Sequence, residues 1–232
     1  MRARGGNELG RWAPGSLLAS LTPGQRQLVL RLGRARQYNT GDALLNQGDS
    51  SDYLLIIIDG YVKISAVTGD GAESLLAIRT AGDVIGELAA IDGLPRSATA
   101  RAADAVIARY VTKPELDRCL RDQPDIARAF NQAVGAKLRL ATQRRVDFRR
   151  DTRTRLAQVL VDLYYGSPGL RGGGSMSVLV TQSELAGLIG ASEPAVHKAL
   201  KTLRDAQAIG TGYGRLVIRD IAAIRKVAEG RA

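Results

Sequence analysis

The chain has 232 residues, enough for two separate cores, and with 45% hydrophobic but only 4% aromatic residues those cores rest on Leu, Ile, Val and Ala. Its formal charge of +10 points to a polyanionic partner. A single cysteine, Cys119, and a single histidine, His197, exclude an internal disulfide, a Cys-based metal or iron–sulfur site and a His-rich metal site, and a Ser-His-Asp triad that spares His197. No apolar run approaches the length of a membrane span, and the start Met-Arg-Ala-Arg-Gly-Gly has no signal-peptide core, so a cytoplasmic protein with no membrane partner is expected.

The charge is unevenly spread. It is +6 over residues 1–36, −5 over 37–136, +4 over 137–152 and +5 over 153–232, an acidic middle between basic ends. Such an excess supports nucleic-acid binding, although a solvated basic face would give the same count.

Residues 1–15, rich in Gly and Arg with Pro14, read as a flexible tail. Thr22-Pro23 caps and opens a short helix to about Gly33. From Gln37 to Val111 short apolar runs recur at 43–45, 53–58, 61–67, 74–78 and 106–111, separated by glycine turns such as Asp59-Gly60 and Ala81-Gly82-Asp83. Short strands at regular spacing indicate a β-sandwich, jelly roll or barrel, with a hairpin around Thr68-Gly69-Asp70-Gly71.

Among those strands lies Gly86-Glu87-Leu88, followed by Pro95-Arg96-Ser97-Ala98-Thr99. Arg96 offers a planar fork for the two oxygens of a phosphodiester. Gly86 allows close backbone approach, a short helix from Glu87 would present free N–H groups, and Ser97 adds a hydroxyl. The Glu87 carboxylate could accept a ribose 2′-hydroxyl proton. The competing reading is a surface turn with a solvated arginine.

This stretch resembles the phosphate-binding cassette of the cyclic-nucleotide-binding domain found in the cyclic-AMP receptor protein family and in kinase regulatory subunits. The resemblance implies Glu87 on the ribose and Arg96 and Ser97 on the phosphate, with Gly86 and Leu88 in the same cassette. It implies cyclic AMP as allosteric ligand, with cyclic GMP as the alternative.

Pro114 opens a helix to about Leu120, and Pro124 opens a long helix to about Arg150. Ala127, Val134, Leu138, Ala141 and Phe148 recur along it at heptad-like positions, interrupted by Asn131 and Arg145, which suits a two-chain coiled coil; packing on its own domain is the alternative. In the family this helix is the dimer interface and closes over the base. Its usual pair of hydroxyl residues falls on Ala141 and Thr142, leaving Thr142 to sense the base edge. A helix over 151–165 follows, then a Gly-rich loop over 166–175, and a domain boundary is expected near 147–152.

Thr181-Gln182-Ser183-Glu184 is a capping box that opens a helix ended by Gly190, and Ser192 caps a second helix from Glu193 to about Asp205. Segments 209–212 and 215–218 flank Tyr213-Gly214 as a β-wing. The pattern is similar to the winged helix-turn-helix of the same family, through Thr181, Glu184, Leu185, Ala186, Ile189, Gly190, Ser192, Val196, Leu200 and Leu203. It departs where the family commonly has Arg-Glu-Thr-Val-x-Arg/Lys, because this chain has Glu193-Pro194-Ala195-Val196-His197-Lys198. Thr181, Gln182, Ser192, Glu193, Ala195, His197, Lys198 and Lys201 are the candidate DNA contacts, with the lysines on phosphates and Glu193 able to accept from cytosine.

The expected fold is α+β: a tail (1–15), a cyclic-nucleotide-binding β jelly roll (16–121), a long dimerisation helix (122–150) and a C-terminal winged helix-turn-helix (151–232). The expected function is a cyclic-nucleotide-responsive transcription regulator, not an enzyme. It acts as a homodimer on double-stranded DNA, with RNA polymerase as a further partner and no metal, haem or iron–sulfur cluster. The alternative is a dimeric winged-helix or architectural DNA binder whose roll is ligand-independent or whose readout is nonspecific.

Overall fold

The computed structural model describes residues 12–67, 69, 71–167, 175–212 and 214–230. These fall into two compact units. Of the described residues, those in 12–64 and 78–138 together with Ser167 make the first; those in 65–77, 139–166 and 175–230 make the second. Among the described residues no helix is long and apolar enough to cross a membrane.

The expected tail over 1–15 needs correction at its inner end. Residues 1–11 lie outside the described residues, but Trp12 and Ala13 are buried, and the Ala13 N–H donates to the Ala81 carbonyl. Their surroundings of Gly, Arg and Pro read as polar chain, whereas the indole supplies rare aromatic volume to a core short of it. Helix α1 (Leu17–Ser20) follows, then α2 (Pro23–Arg31), opened by the reciprocal Thr22–Gln25 capping box with Pro23 in the first turn. Buried Arg26 on α2 donates through Nε to the Leu18 carbonyl and through a terminal nitrogen to the Leu21 carbonyl, tying α2 to the end of α1.

Eight strands come next: β1 (Arg34–Tyr38), β2 (Ala43–Leu45), β3 (Leu54–Asp59), β4 (Val62–Val67), β5 (Glu73–Arg79), β6 (Val84–Ile85), β7 (Thr99–Ala102) and β8 (Val106–Val111). One sheet has the order β1-β8-β3-β6 and the other β2-β7-β4-β5. In the first sheet Leu55 faces Tyr110 across the antiparallel β3–β8 pair, and Arg34 faces Tyr110 across β1–β8. The expected turn at 68–71 has residues 68 and 70 outside the described set.

Strand β3 is buried on both faces, which its unbroken apolar run requires. Leu54 and Ile56 join the cluster formed with Leu18, Val29, Leu116, Ile126 and Phe130. Leu55 and Ile57 join a second cluster with Leu45, Val62, Ile85, Val106 and Ala108. Helix α3 (Glu87–Asp92) is inserted between β6 and β7, so the segment 86–97 spans the two sheets.

Helix α4 (Lys113–Asp122) leads to the long α5 (Pro124–Val146), which a 3-10 turn over Asp147–Arg149 ends slightly before the expected limit. The first half of α5 buries Ile126, Ala129, Phe130 and Ala133 within its own unit. Of the heptad positions, Val134 packs against that same core, Leu138 is 69% exposed, Ala141 is exposed, and Phe148 falls in the 3-10 turn beyond the helix. The two units part within α5, between Leu138 and Arg139, upstream of the boundary expected near 147–152.

In the second unit α6 (Thr152–Gly166) packs against α7 (Gln182–Ile189), α8 (Glu193–Asp205) and α9 (Ile221–Ala228). Strands β9 (Met176–Val178), β10 (Ile209–Gly212) and β11 (Arg215–Ile218) form an antiparallel sheet of order β10-β11-β9. Most of the expected Gly-rich loop lies outside the described residues.

Candidate anion site and helix-turn-helix surface

Arg96 is 4% exposed, an unusual place for a guanidinium. Backbone bonds hold its residue in place: its N–H donates to the Asp49 carbonyl, and its own carbonyl accepts from the Gly48 N–H. Its side chain donates through Nε to Ser51 Oγ at 3.1 Å, through one terminal nitrogen to the Gly86 carbonyl at 2.7 Å, and through the other to the Tyr53 carbonyl at 2.5 Å. A guanidinium has five N–H donors, so one proton remains unspent on each terminal nitrogen. No salt bridge reaches Arg96 among the described residues. Burial pulls its pKa down, opposed by Tyr53, Asp52, Asp49 and Glu87. This is a buried cation held by neutral acceptors with two N–H donors unspent, the arrangement that an anion completes.

Gly86 serves this site twice. Its φ of +79° lies in the left-handed region, and a Cβ there would come 2.6 Å from an Arg96 terminal nitrogen. Next to it Glu87 is 8% exposed, and its Oε1 accepts from Lys137 Nζ at 2.8 Å. Lys137, on α5, also donates to the Val84 carbonyl. Burial lowers the Lys137 pKa and the Glu87 carboxylate opposes that shift.

Gly86, Glu87 and Arg96 are therefore brought together. Ser97 is exposed beside Arg96 in sequence, while Leu88 turns outward at 48% exposure. Thr142 is exposed on the part of α5 that belongs to the second unit.

The helix-turn-helix forms from its caps. Thr181 Oγ1 accepts from the Glu184 N–H at 3.1 Å, and the Thr181 N–H donates to Glu184 Oε2 at 2.8 Å. Gly190, at φ +61°, ends α7. Arg155 of α6 donates to the Ile189 and Gly190 carbonyls and lies 5.3 Å from the Phe148 ring centroid, so it caps that turn from outside. On α8 the buried stripe is Val196, Ala199, Leu200 and Leu203. Ser192, Glu193, His197, Lys198 and Lys201 are exposed. Ser192 makes no side-chain cap bond, so its hydroxyl stays available. His197 Nδ1 lies 3.3 Å from Gln182 Oε1, joining the exposed faces of α7 and α8. Ala195 is half-buried, because it borders the stripe, and is the weakest of the expected contacts. Arg204 donates to Thr211 Oγ1 at 3.1 Å and so ties α8 to β10 of the wing.

Two family models match: the cyclic nucleotide-binding domain over residues 35–123 and the Crp-like helix-turn-helix domain over residues 154–227. A CRP-like cAMP-activated global transcriptional regulator of Mycobacterium tuberculosis is 34% identical over 163 residues, covering 69% of this chain and 72% of the relative. The chain belongs to the CRP/FNR family of transcription regulators. The CRP/FNR architecture recurs in the solved Thermus thermophilus catabolite activator protein, at 27% identity and a TM-score of 0.52 over 93% of this chain and 99% of that one. FixK2 of Bradyrhizobium japonicum shares the fold at 20% identity, with a TM-score of 0.70 over 84% of this chain and 97% of its own. Like other members of the CRP/FNR family, the protein is a non-enzymatic DNA-binding regulator with a cyclic-nucleotide-binding domain.

Sequence reasoning missed Ser51, Tyr53 and Lys137 in this CRP/FNR cassette. Ser51 lies 45 positions from Arg96, and Lys137 lies 50 from Glu87. The one available signal was helical spacing: Lys137 precedes Ala141 by one turn on α5, the region already implicated in ligand sensing.

Proposed function

We propose that the protein is a cytoplasmic homodimeric regulator whose DNA binding responds to a cyclic nucleotide, with cyclic AMP the leading ligand. The buried Arg96, with one free N–H on each terminal nitrogen and no carboxylate partner, carries this reading. It suits the two exocyclic oxygens of a cyclic phosphate. Ser97 adds a hydroxyl, Glu87 takes the ribose 2′-hydroxyl, and Thr142 meets the base edge. The M. tuberculosis relative is described as cAMP-activated, which favours cyclic AMP over cyclic GMP. Thr181, Gln182, Ser192, Lys198 and Lys201 meet the DNA phosphates, while Glu193 and His197 face base edges. RNA polymerase is the further partner in this reading.

The reading is tested by calorimetric titration with cyclic AMP, cyclic GMP and cyclic di-GMP, using the wild type and Arg96→Lys. Lysine keeps a cation but loses the fork, so micromolar binding of cyclic AMP that falls at least tenfold in the variant supports the proposal. No heat with any nucleotide overturns it.

One observation favours a second reading. Three of the five Arg96 donors and the Glu87 carboxylate already have protein partners, so much of the pocket is satisfied within the protein. A roll that is complete without ligand would regulate unliganded. DNA affinity unchanged by saturating nucleotide and by Arg96→Lys would select that reading.

A further inference from the structure

Three hydrogen bonds, to Ser51 Oγ and to the Gly86 and Tyr53 carbonyls, orient the Arg96 guanidinium, and an aromatic ring packed against it can stiffen that orientation. That ring belongs to Tyr53, just before β3. The Arg96 Cζ lies 4.9 Å from the Tyr53 ring centroid, while the Tyr53 carbonyl accepts from an Arg96 terminal nitrogen. Tyr53 is itself fixed. Its hydroxyl donates to the Leu44 carbonyl at 2.9 Å, and its ring stacks on Tyr110 at 4.3 Å between centroids and 29° between planes. Tyr110 in turn carries Arg36, whose Cζ is 4.1 Å from that ring. Contacts thus run Arg36–Tyr110–Tyr53–Arg96, joining β1, β8, the entry to β3 and the cassette. Burial raises the Tyr53 pKa, as expected of a hydroxyl enclosed among these rings.

We propose that Tyr53 is a positioning residue for the cyclic phosphate, its ring fixing the tilt of the Arg96 guanidinium so that the two free N–H donors address the axial and equatorial exocyclic oxygens unequally. This rests on the cyclic-nucleotide reading above. A six-membered cyclic phosphate holds its two exocyclic oxygens in fixed, inequivalent directions. A guanidinium of fixed tilt therefore distinguishes the two phosphorothioate diastereomers of cyclic AMP, in which sulfur replaces one oxygen or the other. A guanidinium free to tilt accommodates both. Discrimination between the diastereomers is thus the property that the ring controls, whereas loss of folded protein would weaken both equally.

The test measures affinities for cyclic AMP and its Sp and Rp phosphorothioates in the wild type, Tyr53→Met and Tyr53→Phe. Methionine fills the volume without a π face. The expected result is a loss of about tenfold in cyclic AMP affinity for Tyr53→Met, the scale of one cation–π contact in a partly desolvated site. The Sp/Rp ratio moves toward one in that variant, and Tyr53→Phe, which restores the ring, restores the ratio. A ratio unchanged in Tyr53→Met, or collapsed equally in Tyr53→Phe, overturns the proposal.

A second measurement needs neither nucleotide nor a folded Tyr53→Met. The Arg96 Nε–H resonance of the wild type, assigned by its disappearance in Arg96→Lys, is expected to show an upfield ring-current shift. An unshifted signal removes the stacking and overturns the proposal while leaving the cyclic-nucleotide reading intact. A wild type that shows the shift but binds no nucleotide overturns the underlying reading, and the phosphate role of Tyr53 falls with it.

Discussion

Lys137 and Glu87 form the pair in which the cost of burial is easiest to follow. Their side chains are 15% and 11% exposed and meet at 2.8 Å. The lowered Lys137 pKa means that burial outweighs the attraction of Glu87. The native state thus binds this proton less tightly than the unfolded chain does. Stability is then expected to rise with pH between the depressed native value and the ordinary lysine range near about 10.4, and Lys137→Met should lose that slope. Denaturant titrations at a series of alkaline pH values check it; an equal slope in the variant would contradict the assignment. Lys137→Met alone also leaves Glu87 buried and unpaired, at a cost of about 3–5 kcal/mol, whereas adding Glu87→Gln should recover most of it. Arg96 and Glu87 stood out in the sequence because they lie in a Gly- and Pro-bounded turn between strands that resembles the phosphate-binding cassette of the family. Lys137, Ser51 and Tyr53 were not, since tertiary folding brings them in and nothing local marks them.

At the scale of elements, legibility follows the presence of local stop signals. Helix α8 and the wing strands lie where Ser192, Pro194 and the glycines around Tyr213 place them. Strands β1 and β7 escaped because Arg34–Tyr38 and Thr99–Ala102 lack an apolar run; pairing with β8 and β2 makes them strands. Gly190 offers a test of how tightly the helix-turn-helix turn is specified. Its φ of +61° disfavours any residue with a Cβ, and that Cβ would lie 2.3 Å from the Phe148 ring. Phe148 is 56% exposed and free to swing outward, so backbone strain dominates. Gly190→Ala is expected to destabilise the protein by about 1–2 kcal/mol. Adding Phe148→Ala should restore little of this in a thermal melt. A large recovery would mean that the ring, rather than the backbone, specifies the turn.

For the whole molecule, the relevant facts are the exposed second half of α5 and a net charge of +10. Leu138 stands 69% exposed at a heptad position of α5, where the second copy of the proposed homodimer would cover it. Leu138→Asp is expected to shift the protein toward monomer in sedimentation velocity and to weaken DNA binding at least tenfold, because one recognition helix then acts without its twin. The charge makes a separate prediction about how DNA is read. Lys198 and Lys201 are exposed on α8 beside Glu193, where phosphate contact gives affinity without sequence information. Each phosphate neutralised contributes about 0.9 to the slope of log affinity against log salt, so Lys198→Ala in a homodimer should lower that slope by about 2. The loss should be uniform across DNA sequences. Glu193→Ala is expected to do the opposite: removing an acid from the DNA-facing turn raises affinity for arbitrary duplexes and flattens the preference in a random-sequence selection. If Lys198→Ala reshapes the selected motif while Glu193→Ala leaves it intact, the base-reading and phosphate-holding assignments on α8 are reversed.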